Sequence, residues 1–196
     1  MPNLKNGEPI SQEQLEREIN NVPLINQINQ ITHWHNFTVK TYGAYLENLK
    51  DSMAEEHRDV KALCDDFMEQ RTRNFCLIMH MSNFEEISYL ICKSESVQIK
   101  QTVNSISRFS EGWKKRTGKN DLGLKAWSIL TDAEKVRNCI LHACARVELV
   151  KKKDKPALKD IIRRESLSVN SGRVEVTIDY LNKIKDSIFE LLYTFE

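Results

Sequence analysis

Almost no net charge, no long unbroken apolar run and no paired cysteines: each of these absences removes a class of protein. With 29 Lys and Arg against 28 Asp and Glu, the formal net charge is +1. No global field therefore advertises a nucleic-acid partner, and any RNA contact must be made by a local patch. The most apolar stretch, Phe75 to Cys92, is interrupted by His80, Asn83, Glu85 and Glu86, which excludes a bilayer-spanning helix there. Met1 to Asn20 is polar and lacks the apolar h-region of a secretory signal. A cytoplasmic protein with no membrane partner is expected. The five cysteines, Cys64, Cys76, Cys92, Cys139 and Cys144, are odd in number and contain no CxxC pair, which argues against a disulfide framework and a zinc site. Their mostly apolar neighbours suggest free, buried thiols in a reducing compartment. There is no internal repeat and no low-complexity segment.

What is present is ordinary globular composition, 40% apolar and 29% charged over 196 residues, enough for one sizeable core. Ser11-Gln12-Glu13-Gln14 has the form of a capping box opening a short helix, which Pro23 is expected to break or kink. Leu24, Ile28, Ile31, His35, Val39, Tyr42, Leu46, Leu49 and Met53 recur at helical steps. The charged run from Met53 to Asp65 is expected to hold a turn. Leu77, Met81, Phe84, Ser88 and Ile91 mark a buried helix ending near Lys93. A polar helix is expected from about Ser96 to Lys115, then a basic loop, Lys114 to Asn120. Leu122 to Val150 is again helical, with Thr131-Asp132 as a possible N-cap dividing it. After a short helix from Ala157 to Arg164 the period changes to two. Ser166 to Val169 and Arg173 to Thr177 flank Asn170-Ser171-Gly172, which is hairpin chemistry. Leu181, Ile184, Ile188, Leu191, Leu192 and Phe195 lie on one face of a last helix.

The expected fold is therefore all-α: an up-and-down bundle of about five to seven helices with one small β-hairpin before the C-terminal helix. It is expected to form one domain over 1–196, with 1–70 as an N-terminal helical extension and 71–196 as the bundle carrying the motif described next.

Winding Thr131 to Val150 at about 100° per residue puts Val136, Ile140, Ala143, Val147 and Val150 on a core face. Glu134, Asn138, His142 and Arg146 form a row on the other side, and Arg137 lies at its edge. Leu141 and Ala145 sit in the middle of that polar side, so a covering surface is expected, most economically a second copy about a two-fold axis. This set suits RNA cleavage. RNA carries its own nucleophile, the 2′-OH. Histidine titrates nearest neutral pH and can take or return that proton. Arginine grips phosphate oxygens in a fork. Asn138 can orient the imidazole or bond the phosphate. No residue cluster suggests a metal or another cofactor.

Arg137-Asn138-Cys139-Ile140-Leu141-His142, with a polar Asn directly after the Arg, resembles the RxxxxH signature of the HEPN superfamily. Trp127, Ala133 to Asn138 and the Phe84-Glu85-Glu86-Ile87-Ser88 stretch extend the likeness over about Phe75 to Glu196. The resemblance implies a homodimer with a composite, metal-independent ribonuclease site, acting as a toxin or phage-defence effector beside an antitoxin or defence partner. By that likeness Arg137 and His142 are catalytic and Asn138 assists. Glu134 is a possible support, as is Glu85, with Glu86 competing for the latter role. Lys114, Lys115, Arg116, Lys119 and Arg146 are possible RNA contacts; the simpler alternative is that such charges are only solvated. Trp34, Trp113 and Trp127 could stack bases, although Trp127, on the approach to the motif helix, is the better fit to the core. Two competing functions fit the same residues. One is a non-catalytic dimerisation module, with Arg137 a surface ion-pair partner. The other is a nucleotide-sensing regulatory domain, since an Arg–His cleft can hold phosphates.

Overall fold

A computed structural model describes residues 12–50, 58–98, 104–118 and 125–194. Six α-helices and one hairpin make up the described chain: α1 Gln12–Lys50, α2 Arg58–Ser94, α3 Ser105–Thr117, α4 Lys125–Ala143, α5 Lys155–Arg164, β1 Ser168–Asn170, β2 Arg173–Glu175 and α6 Ile178–Thr194. This is the all-α bundle with its hairpin before the last helix. Among the described residues no helix is long and apolar enough to cross a membrane.

Helix α4 is the hub, packed against α2, α3, α5 and α6. One apolar cluster runs through the molecule, from Leu24, Ile28 and Ile31 of α1 through Leu77, Met81 and Phe84 of α2 to Ile184, Ile188 and Leu191 of α6. The N-terminal extension thus shares the core of the bundle. Helix α1 also runs unbroken through Pro23, contrary to the expected break. Proline costs a helix one hydrogen bond and a ring clash, and apolar packing of the turns just beyond it offsets that.

Helix α2 begins at Arg58; residues 53–57 of the charged run expected to hold the turn lie outside the described residues. Three other boundaries differ from expectation. Helix α3 begins only after Asn104, whose side chain accepts from the Ser107 amide at 2.8 Å, an N-cap that charge and periodicity did not reveal. Lys114, Lys115 and Arg116 then belong to its last turn, not to a loop, and Gly118 closes it at φ 70°. Helix α4 does not divide at Thr131-Asp132. The Thr131 hydroxyl donates back to the Trp127 carbonyl at 2.8 Å, and Asp132 is buried against Arg164 of α5, with Lys135 at 3.6 Å. The proposed capping box at Ser11 lies outside the described residues.

Helix α3 sits very close to α2. A Cβ added to Gly112 would fall 2.6 Å from Ile91 Cγ2, so only glycine permits that approach. The hairpin closes through Ser171 and Gly172 at φ 49° and 77°, the pair of positive values that a two-residue turn needs. Its register pairs Ser168 with Glu175, Val169 with Val174 and Asn170 with Arg173.

Candidate functional site

Helix α4 ends earlier than periodicity implied, and this rearranges the polar row. It stops at Ala143; Cys144 and Ala145 then take φ of 49° and 63°. Neither is glycine, and the left-handed region costs such residues about 1–2 kcal/mol each. The hairpin fixes this turn. The Val174 amide donates to the Ala145 carbonyl at 2.9 Å, the Val147 amide to the Gly172 carbonyl at 3.0 Å, and Arg173 Nη1 to the Cys144 carbonyl at 3.0 Å.

Arg146 is consequently not the next step of the helical row. It faces Arg173 across an isolated bridge and pairs with Glu148 at 2.8 Å. Ala145 is buried, but what contacts its backbone is the chain's own hairpin, not a partner. Leu141 stays 44% exposed. The core seam of α4 passes through Ala133, Val136, Cys139 and Ala143, with Ile140 only at its edge. Val147 opens a 3₁₀ turn, Val147–Leu149, that Val150 caps, so neither extends the helix.

Arg137 is held between two acidic side chains. Its Nη2 lies 3.9 Å from Glu85 Oε2 on α2, and its Nη1 lies 3.7 Å from Glu134 Oε1 one turn back. Both separations exceed hydrogen-bond range, and Nε is buried with no partner. The carboxylates offset the charge and aim the guanidinium while, among the described residues, leaving its donors unbonded. Glu85 also takes Arg108 Nη1 of α3 at 3.3 Å. Three helices thus converge on one Arg–Glu–Arg–Glu group. Of the two acids that the sequence left in competition, Glu85 is the one beside Arg137, whereas Glu86 is exposed and lines a groove between α1 and α2. Arg108 was not singled out from the sequence, and its place on a polar helix gave no signal.

His142 is exposed in the last turn of α4. Asn138 is half-buried one turn before it. Within one chain, neither is joined to Arg137 by a hydrogen bond or an ion pair. Of the basic candidates, Lys114 and Lys115 are exposed, Arg116 pairs with Glu95 at 3.6 Å, and Lys119 lies outside the described residues.

The cysteines divide. Cys76, Cys92 and Cys139 are buried, whereas Cys144 is exposed, contrary to the expectation of buried thiols throughout; the early helix end turns it out to solvent. Burial, helped by the nearby Glu148 carboxylate, pushes the Cys139 thiol up to about 11, so it stays protonated and inert beside the motif. Among the described residues no group of three His, Cys, Asp or Glu side chains converges as a metal cluster would. Trp113 is buried and Trp127 packs on Phe109 at 5.7 Å, which leaves Trp34, 43% exposed, as the tryptophan open to a ligand. No family model, curated protein or solved structure matches the chain.

Proposed function

We propose that the chain is a metal-independent endoribonuclease of HEPN type whose site is completed by a second copy. The observation that carries this is Arg137, aimed by Glu85 and Glu134 at 3.9 and 3.7 Å with its donors unbonded, on the helix that ends in an exposed His142. A guanidinium in this state is prepared for phosphate, whose oxygens accept a fork of N–H bonds at closer range. Exposed Leu141 and His142 lie side by side at the end of α4, so a two-fold contact there would bring two imidazoles to one RNA strand.

In the reaction, the 2′-oxygen attacks phosphorus as its proton passes to an imidazole. The bond to the 5′-oxygen breaks, and that oxygen takes a proton from the partner's imidazole. The products are a 2′,3′-cyclic phosphate and a 5′-hydroxyl. Arg137 stabilises the charge that builds on the non-bridging oxygens, an effect worth about 2–4 kcal/mol in comparable electrostatic sites. Asn138 orients the imidazole. The setting that fits is a toxin or phage-defence effector restrained by a partner protein.

RNA digestion in EDTA tests this. Wild type is expected to leave cyclic-phosphate ends, and His142→Ala is expected to leave RNA intact. Equal digestion by both proteins, or loss of cleavage on chelation, refutes the reading. The competing non-catalytic module draws on the same ion pairs, since two carboxylates already satisfy the Arg137 charge. It predicts a dimer that tolerates Arg137→Ala, with no growth arrest on expression of either protein. A nucleotide-sensing domain would instead show a rise in melting temperature with a nucleotide.

A further inference from the structure

Helices α1 and α2 enclose a groove of about 590 Å³, within the roughly 300–1,000 Å³ usual for small-ligand clefts. None of Arg137, Glu85, Glu134 and Arg108 lines it. Trp34 and Phe75 stand in it with ring centroids 5.1 Å apart at 56°, and they are 43% and 46% exposed. Large aromatic faces left open to water at one place are a cost that a ligand would remove. Ile31 and Met79 add apolar wall beside the rings, and the polar groups are Gln27 and Gln30 from α1 with Asn83 and Glu86 from α2. The Asn83 amide nitrogen is buried with no hydrogen-bond partner among the described residues, so the wall carries an unfilled donor. Among the described residues no lysine or arginine lines the groove, which disfavours a phosphate inside it and favours an uncharged planar group with both donor and acceptor edges.

We propose that this groove takes one unpaired nucleobase whose Watson–Crick edge sets an exocyclic amine beside a ring-nitrogen acceptor, adenine or cytosine, stacked on Trp34 beside Phe75. Single-stranded RNA is read in this way, by aromatic stacking and by bonds to the base edge. On adenine and cytosine the amino group stands beside a ring-nitrogen acceptor. The amine donates to the Glu86 carboxylate, and the ring nitrogen accepts from the Asn83 amide. Uracil and guanine present a carbonyl and a ring N–H in those places, so an oxygen would meet the carboxylate and a donor would meet a donor. The ribose and phosphates stay outside. As an account of what the ribonuclease recognises, the inference rests on the reading above.

The test is fluorescence anisotropy of labelled eight-nucleotide 2′-O-methyl oligo(A), oligo(C) and oligo(U), which lack the attacking 2′-hydroxyl, on the full chain, with wild type, Trp34→Leu and Glu86→Gln. Oligo(A) and oligo(C) are expected to bind at least about fivefold tighter than oligo(U). Trp34→Leu should lose about 5- to 150-fold in affinity for them, the range that stacking of one base spans. Glu86→Gln should narrow the preference while leaving oligo(U) unchanged, because a carboxamide can rotate to offer either a donor or an acceptor. Both substituted side chains are exposed, so folding is not in question. Equal binding of the three oligomers, or a preference indifferent to both substitutions, overturns the inference. Tryptophan quenching by free cytidine or adenosine as tight as that by the oligomers would make the ligand a free nucleoside; quenching by oligomers alone makes it RNA. The same measurements on His142→Ala separate the two proposals. Base preference without cleavage in the wild type sinks only the ribonuclease; cleavage without base preference sinks only the groove.

Discussion

Replacing Arg137 by lysine keeps the charge and removes the fork, so it isolates what the guanidinium geometry contributes. Two different nitrogens of Arg137 face two carboxylates, at 3.9 Å on Glu85 and 3.7 Å on Glu134, and one ammonium nitrogen cannot hold both positions. The stability cost is small. The Glu85 side chain is 42% exposed, and an exposed pair of that kind is worth about 0.2–1 kcal/mol after screening. At roughly 2–4 °C per kcal/mol for a chain of this size, the melting temperature should fall by no more than about 4 °C. The cost to cleavage is larger. A displaced cation forfeits part of the roughly 2–4 kcal/mol of transition-state stabilisation, which corresponds to about 30- to 1,000-fold in rate. Arg137→Lys should sit near the low end of that range and Arg137→Ala near the high end. Single-turnover cleavage of a labelled RNA, measured beside a thermal melt of each protein, checks both numbers. Wild-type cleavage by Arg137→Lys would refute the clamp role. A melting temperature lowered by 10 °C or more would show that the arginine is held for the fold.

Three further outcomes follow from the packing. Asp132→Ala removes the buried partner of Arg164; a lost bond between charged groups costs about 1.5–3 kcal/mol, and a denaturant melt within 0.5 kcal/mol of wild type would contradict the assignment. His80 is buried, and desolvation, with help from nearby Lys185, lowers its pKa from 6.5 to about 4. The unfolded chain therefore binds a proton before the folded one does. Stability contributed by neutral His80 is fully present above pH 6.5 and is lost as pH falls toward 4, by up to about 3 kcal/mol; His80→Leu should flatten that slope, and an unchanged slope in chemical denaturation rules the histidine out as its source. Gly112→Ala drives a methyl into Ile91, 2.6 Å away; such overpacking costs about 1–3 kcal/mol, and a melt unchanged from wild type would mean the two helices part freely.

Much of the architecture is legible in the chain because it depends on local period and turn chemistry. The three- and four-residue steps of Leu77, Met81 and Phe84 and of Leu181, Ile184 and Ile188 can be buried only as helix faces. Asn170-Ser171-Gly172 between alternating segments can close only as a hairpin. The proximity of Glu85 to Arg137 was half legible: the sequence put an acid on the earlier helix, but Glu85 and Glu86 are neighbours about 100° apart on a helix, and only the packing of α2 on α4 picks between them. Pro23 and Thr131-Asp132 misled because local preferences for breaking and capping are worth only a few kcal/mol, less than the burial of the turns around them.

The sequence by itself determined the helical periods, the hairpin and the composition of the Arg137 to His142 segment, because those follow from dihedral preference and side-chain type. Tertiary structure alone decided where α4 ends, which acid aims Arg137, that Arg146 leaves the row and that Trp34 and Phe75 meet. Each of these depends on contacts between residues far apart in the chain: the hairpin holding Cys144 and Ala145 in a left-handed turn, α2 and α3 bringing Glu85 and Arg108 to α4, and α1 lying along α2. No local preference encodes a neighbour of that kind.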